Sequence, residues 1–159
     1  MLTEDGANRV WEKMVEAEVR SLYFADLAAY YTRNKQIITA LSFLLSSGAA
    51  ATVAAHTSWW YPLITSSVSA ALSGYSIAVG LDRRAAAMAK LHSSWNELHA
   101  DYERLWYHWR DENAEAQFDE LQKRGRGASE TGSVEAPYDV TRFDKWTDWV
   151  YERYAQRAA

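Results

Sequence analysis

At 159 residues the chain is sized for a single domain, and with no cysteine it holds no disulfide, thiolate zinc site or cysteine nucleophile. A formal charge of -4 removes the basic face expected of a nucleic-acid binder. Only two prolines and seven glycines punctuate a chain rich in Trp and Tyr, which favours long helices over a many-stranded sheet and makes all-α the expected fold class.

Residues 1–35 read as a cytoplasmic amphipathic helix. Thr3 is placed as its N-cap, and Glu4 and Asp5 suit the positive end of the helix dipole. Val10 or Trp11, Met14, Val15, Glu18, Leu22, Ala25 and Tyr31 form a broad, patchy stripe along it.

From Gln36 to Leu81, 46 consecutive residues contain no Asp, Glu, Lys or Arg, in a chain that is 24% charged. A helix crosses the ~30 Å hydrocarbon layer in roughly 20 residues. Residues 36–81 hold two such lengths, at 37–55 and 63–81, joined by the turn HTSWWYP. The expectation is an integral-membrane, two-helix transmembrane hairpin. Trp59, Trp60 and Tyr61 would sit at one membrane boundary and Tyr30 and Tyr31 at the other. Arg33 and Lys35 precede the hairpin, Arg83, Arg84 and Lys90 follow it, and the turn has no basic residue. By the positive-inside rule both termini are cytoplasmic, and the expected location is a bacterial inner membrane. The competing reading is a soluble Ala/Ser-rich hairpin buried in a bundle, but a soluble helix normally keeps a charged, wet face.

Within the second length, TSSVSAALSGYS (Thr65 to Ser76) is uncharged yet carries a hydroxyl at six of its twelve positions besides the tyrosine. Ser66, Ser69, Ser73 and Ser76 recur at helical spacing, and Thr39, Ser42, Ser46, Ala49, Val53 and His56 repeat the pattern more weakly in the first length. Such stripes serve close helix packing in lipid, together with the small row Ala70, Gly74 and Ala78. Alternatively, around a ring of identical subunits, they line a wet path. Thr39, Ser42, Ser46, Ser66, Ser69, Ser73, Gly74 and Ser76 are therefore the candidate pore or helix-packing residues. His56, at the outer mouth, reads as an interfacial residue.

Residues 82–123 read as one long cytoplasmic helix. Met88, Leu91, Trp95, Leu98, Tyr102, Leu105 and Trp109 make a coiled-coil-like heptad seam. That helix is expected to pair with residues 1–35 as a stalk, within one subunit or between neighbours. Residues 124–137 have the Gly/Ser/charge composition of a linker. Residues 138–159 read as an aromatic amphipathic helix, capped around Thr141 and Asp144. It would dock on the stalk within a homo-oligomer, lie on the inner membrane surface, or hold a partner. Leu91, Trp95, Leu98, Tyr102, Leu105, Trp109, Trp146 and Trp149 form the candidate oligomer or partner face.

No enzyme is expected, and no cofactor. His92, His99 and His108 share a helix with Glu97, Asp101 and Glu103, but a di-metal bundle needs Glu-x-x-His pairs from several helices. The sequence contains no phosphate loop and no nucleophile elbow.

An N-terminal helix ending in YYTRNKQ (Tyr30 to Gln36), a small-residue hairpin, an aromatic long helix and a C-terminal helix together resemble the SLATT domains. These are two-transmembrane effector domains of bacterial conflict systems, and the resemblance covers nearly the whole chain. It implies a homo-oligomeric, pore-forming or membrane-perturbing effector of antiviral defence, whose action ends in abortive infection. It also implies a sensor partner, such as a nucleotidyltransferase, a SLOG protein or a reverse transcriptase. The signal would then reach the cytoplasmic stalk from that partner or from its nucleotide or nucleic-acid product. A non-conducting membrane anchor that holds a cytoplasmic partner is the alternative.

Overall fold

The computed structural model describes residues 1–54 and 60–158. The chain is all-α: five helices and no strand among the described residues. They are α1 (Glu4–Ala54), α2 (Trp60–Val79), α3 (Leu81–Tyr107), α4 (Ala114–Glu135) and α5 (Val140–Ala158). Thr3 caps α1 as expected, its Oγ1 accepting from the Gly6 amide at 3.1 Å. The chain divides into two compact units, Met1–Ala28 with Ala86–Ala159, and Ala29–Ala85.

The first unit is a four-helix bundle. α1 and α3 run antiparallel, with the Leu2 amide donating to Trp109 O at 3.1 Å and His99 Nδ1 reaching Met14 O at 3.1 Å. α4 returns along α3, where Arg124 pairs with Asp101 at 2.7 Å. α5 returns along α1, where Trp146 Nε1 donates to Asp26 at 3.3 Å. The heptad seam is the core of this bundle: Met88, Leu91, Trp95, Leu98, Tyr102 and Leu105 are all buried. The broad stripe on residues 1–35 has the same cause. Val10, Met14, Val15, Ala17, Val19, Tyr23, Phe24 and Leu27 are buried on several sides, because α1 has a neighbour on more than one face.

Two expectations in this region are corrected. The helix expected over 82–123 stops at Tyr107, and turns carry the chain to Ala114. The N-terminus of α1 ends opposite this point, the Met1 amine donating to Glu112 O at 3.2 Å, so a longer α3 would have nothing to pack on. Trp109, the last member of the seam, is accordingly only half-buried. The expected linker 124–137 is instead helical through Glu135. Its glycines make the helix costly in isolation but let its backbone come close to aromatic rings. A Cβ on Gly132 would lie 3.2 Å from Phe24 Cζ, and one on Gly125 3.8 Å from Tyr102 Oη. Tertiary packing here overrides intrinsic propensity. Gly127, by contrast, faces open space. Gly127→Ala should raise bundle stability by about 1 kcal/mol, whereas Gly132→Leu should lower it by about 2 kcal/mol through overpacking. Thermal melts of the two variants should shift in opposite directions.

The cap of the last helix also differs from expectation. Asp139 caps α5, its Oδ1 accepting from the Arg142 amide at 3.2 Å, so the helix starts ahead of Thr141.

The second unit is an antiparallel helical pair made from the latter part of α1, α2 and the start of α3. At its base Lys35 pairs with Asp82 at 2.5 Å, and the Arg84 guanidinium lies 6.0 Å from the centre of the Tyr31 ring. Gly80 takes φ +63, the left-handed conformation that only glycine adopts cheaply. Helical bonding resumes at once, with the Arg84 amide donating to Gly80 O at 2.9 Å. α2 and α3 thereby run as one 48-residue helical segment, Trp60–Tyr107.

Candidate functional site

The charge-free pair is joined by hydroxyls. Ser69 is buried, and its Oγ lies 2.9 Å from Ser46 Oγ and donates to Ser42 O at 3.2 Å. Ser42 Oγ is buried with no partner of its own among the described residues. Small side chains permit this approach, since a leucine at Ser69 would hold the backbones apart.

The hydroxyl stripe is rotated by about one position from the true contact line. On α2 the least exposed residues are Pro62, Thr65, Ser69, Leu72, Ser76 and Val79, at steps of 3 and 4. On α1 they are Tyr31, Lys35, Ile38, Ser42 and Leu45. Ser42, Ser69 and Ser76 therefore belong to the seam, while Thr39, Ser46, Ser66, Ser73 and Gly74 are exposed beside it. Sequence reasoning missed Ile38, Leu45, Thr65 and Leu72, because it followed hydroxyls rather than the 3-4 repeat that spans both polar and apolar residues. The turn residues His56 and Trp59 lie outside the described residues.

Two hydroxyls near the start of α2 are satisfied by their own helix. Ser66 Oγ donates to Pro62 O at 2.5 Å and Thr65 Oγ1 to Tyr61 O at 3.0 Å. Back-bonding of this kind hides a hydroxyl from an apolar solvent. Around these residues the outward surface is greasy: Phe43, Leu44, Leu63, Ile64, Tyr75 and Ile77 are all exposed. The Trp60–Tyr107 segment is, among the described residues, the one helix long and apolar enough to cross a membrane, and only 6% of its apolar window is buried.

The bundle uses its polar side chains to hold helices together. His92 Nδ1 lies 2.9 Å from Ser21 O and so ties α3 to α1, whereas His108 Nδ1 only reaches back 2.9 Å to Arg104 O at the end of α3. The side chains expected to form an oligomer or partner face are largely consumed within the chain: Leu91, Trp95, Leu98, Tyr102 and Leu105 are core residues. Trp146 is half-buried on α1, and Trp149 is 44% exposed.

α5 buries Val150 and packs Tyr154 on Trp11 and Phe143 on Tyr23, and polar ties to α1 add to this. Arg153 pairs with the buried Glu18, and Arg142 reaches Asp26 at 3.5 Å. Tyr23 Oη donates to Pro137 O at 2.7 Å and accepts from the Asp139 amide at 3.1 Å.

Burial pushes the Tyr102 phenol up to about 12, with the Glu16 charge adding to it. Burial, followed by the Glu18 charge, pushes Tyr154 up to about 12. Both phenols ionise near 10 in the unfolded chain. Between about 10 and 12 the unfolded chain releases protons that the folded chain keeps, so stability is fully held below pH 10 and falls as pH rises towards 12. Tyr102 alone should account for roughly 2 kcal/mol of that fall. Urea midpoints at pH 9 and 11 should differ less in the Tyr102→Phe, Tyr154→Phe double variant than in the wild type.

Comparison with protein-family models, curated proteins and solved structures gave no match to this chain.

Proposed function

We propose that residues 36–81 form a membrane hairpin with both termini cytoplasmic. We further propose that the chain is a membrane effector, which assembles with copies of itself and permeabilises a bacterial inner membrane on a signal from a sensor partner. The observation that carries the membrane reading is the inverted distribution of apolar surface. Phe43 and Ile77 are 71% and 81% exposed within the charge-free stretch 36–81, while the charged bundle buries its own core. A soluble domain would spend those side chains inside. The effector reading rests on the SLATT-like layout and on the exposed flank of Thr39, Ser66 and Ser73, which is free to meet other subunits.

The second reading, a non-conducting anchor, is favoured by one observation: the Ser69 hydroxyl spends its hydrogen bonds within the chain, on Ser42 O and Ser46 Oγ. Dye leakage from liposomes and growth arrest on overproduction separate the two. If the exposed flank lines a path, Ser66→Leu with Ser73→Leu should abolish both effects while carbonate washing still leaves the protein in the membrane pellet. Absence of leakage and arrest with the wild type and its sensor partner would favour the anchor. Undiminished leakage in that variant would take the path off this flank, and wild-type protein in the carbonate supernatant would remove both readings.

A further inference from the structure

Where α4 gives way to α5, the bundle opens into a cleft of about 500 Å³. Four aromatic rings line it: Tyr23 and Phe24 from α1, Tyr138 from the connecting turn and Phe143 from α5. Tyr23 and Phe143 meet edge-on with ring centres 5.6 Å apart, and Tyr138 is tilted against Phe143 at 6.2 Å. The Tyr23 ring is fixed before any ligand arrives, because its hydroxyl is bonded on both sides to the turn. Gly132 keeps the α4 wall flat against Phe24. Tyr138, at the rim, is 75% exposed, an aromatic face with little covering it.

The charge on the wall is one-sided. Among the described residues Arg20 is the single charged side chain lining the cleft. Its guanidinium meets Glu16 at 2.8 Å, but Glu16 also takes Lys13 at 2.7 Å, so the trio keeps a net positive charge. The volume falls within the range of small-molecule sites, which are mostly apolar with a few fixed polar groups. Aromatic faces and edges on a cleft wall favour a flat π-system packed against them. Held by Glu16 and the Trp95 ring, the Arg20 guanidinium is the cationic group of an otherwise neutral wall. The hydrogens it does not give to Glu16 can form charge-assisted hydrogen bonds with an anion.

We propose that this cleft binds a small aromatic molecule carrying one anionic group, with its ring among Tyr23, Tyr138 and Phe143 and its anion at Arg20. The site lies within the bundle unit, and the proposal does not depend on what surrounds the hairpin. A bound ligand would touch α1, α4 and α5 at once and so clasp the end of the bundle where α5 begins.

Saturation-transfer NMR on the full chain in detergent, with protein-free micelles as reference, tests this with phenyl phosphate, phenol and inorganic phosphate. Phenyl phosphate should bind saturably and about tenfold more tightly than phenol. Inorganic phosphate at the same concentration should not displace it. Arg20→Gln should make phenyl phosphate and phenol equivalent, and Arg20→Lys should restore the preference. Ser133→Leu fills the rim from an exposed position whose hydroxyl bonds only its own helix, at Glu130 O. That variant should lose phenyl phosphate binding while keeping its helical content and melting temperature. Absence of saturable binding to the wild type, equal affinity for phenol, or unchanged binding by Ser133→Leu would each overturn the proposal.

Discussion

Trp95→Ala should destabilise the bundle by about 4 kcal/mol, close to the upper end for loss of a buried aromatic. Trp95 is 4% exposed at the middle of the α3 seam, and the Arg20 guanidinium lies over its ring at 4.9 Å. Alanine removes the largest side chain of the core, leaves a cavity between helices and strips Arg20 of a cation–π contact. Domains of this size hold only about 5–15 kcal/mol in total, so the variant should unfold at a visibly lower urea midpoint or fail to accumulate. Trp95→Phe should behave differently. The indole Nε1 is buried without a partner, so its removal takes away an unsatisfied donor and offsets part of the lost volume. A cost below about 1.5 kcal/mol is expected. Equal losses for the two variants would mean that the indole nitrogen contributes to packing in the folded state.

Arg153→Leu should cost about 3 kcal/mol, more than its partly exposed position suggests, because it strands a buried carboxylate. Glu18 is 8% exposed and Arg153 is its ion-pair partner. The pair is incompletely satisfied: Glu18 Oε2 and Arg153 Nε are both buried without a hydrogen bond among the described residues. Replacing both partners removes two desolvated charges together. Glu18→Met with Arg153→Leu should therefore return to within about 1 kcal/mol of the wild type. Denaturant titration of the two single variants and the double variant measures the coupling. A double variant as unstable as Arg153→Leu alone would show that Arg153 acts through its stacking on Trp149 and Tyr154, at 4.9 and 5.4 Å, rather than through its charge.

The legible parts of the sequence were those where one physical rule dominates. The heptad seam from Met88 to Leu105 could be read because one face of α3 is buried along its whole length. The Thr3 cap could be read because a hydroxyl before two acidic residues has few other uses. Other features depended on partners that periodicity does not name. Whether Gly125, Gly127 and Gly132 lie in a linker or a helix is decided by Phe24 and Tyr102, more than twenty residues away or on another helix. The end of α3 is set by the end of α1, not by any breaker near Tyr107. In the hairpin, hydroxyl chemistry drew attention to Ser66 and Ser73, whereas contact between the helices follows Thr65, Ser69 and Leu72. A polar stripe and a packing stripe share the same period, so spacing alone leaves their phase undecided by one residue.

The glycine-bearing half of α4 has a consequence for how the bundle comes apart. Three glycines, each costing about 0.8–1.0 kcal/mol relative to alanine in a helix interior, fall between Arg124 and Ser133, and only Gly132 among them is buried. Amides there exchange through local openings whose free energy lies well below that of the α1–α3 core. The bonds after Lys123, Arg124 and Arg126 lie at the edge of this stretch or within it, so a basic-specific protease meets its substrate in a transient fluctuation rather than in global unfolding. Cleavage there would leave the α1–α3 pair intact and free α5 with its cap, giving the molecule a fixed order of disassembly from its C-terminal end.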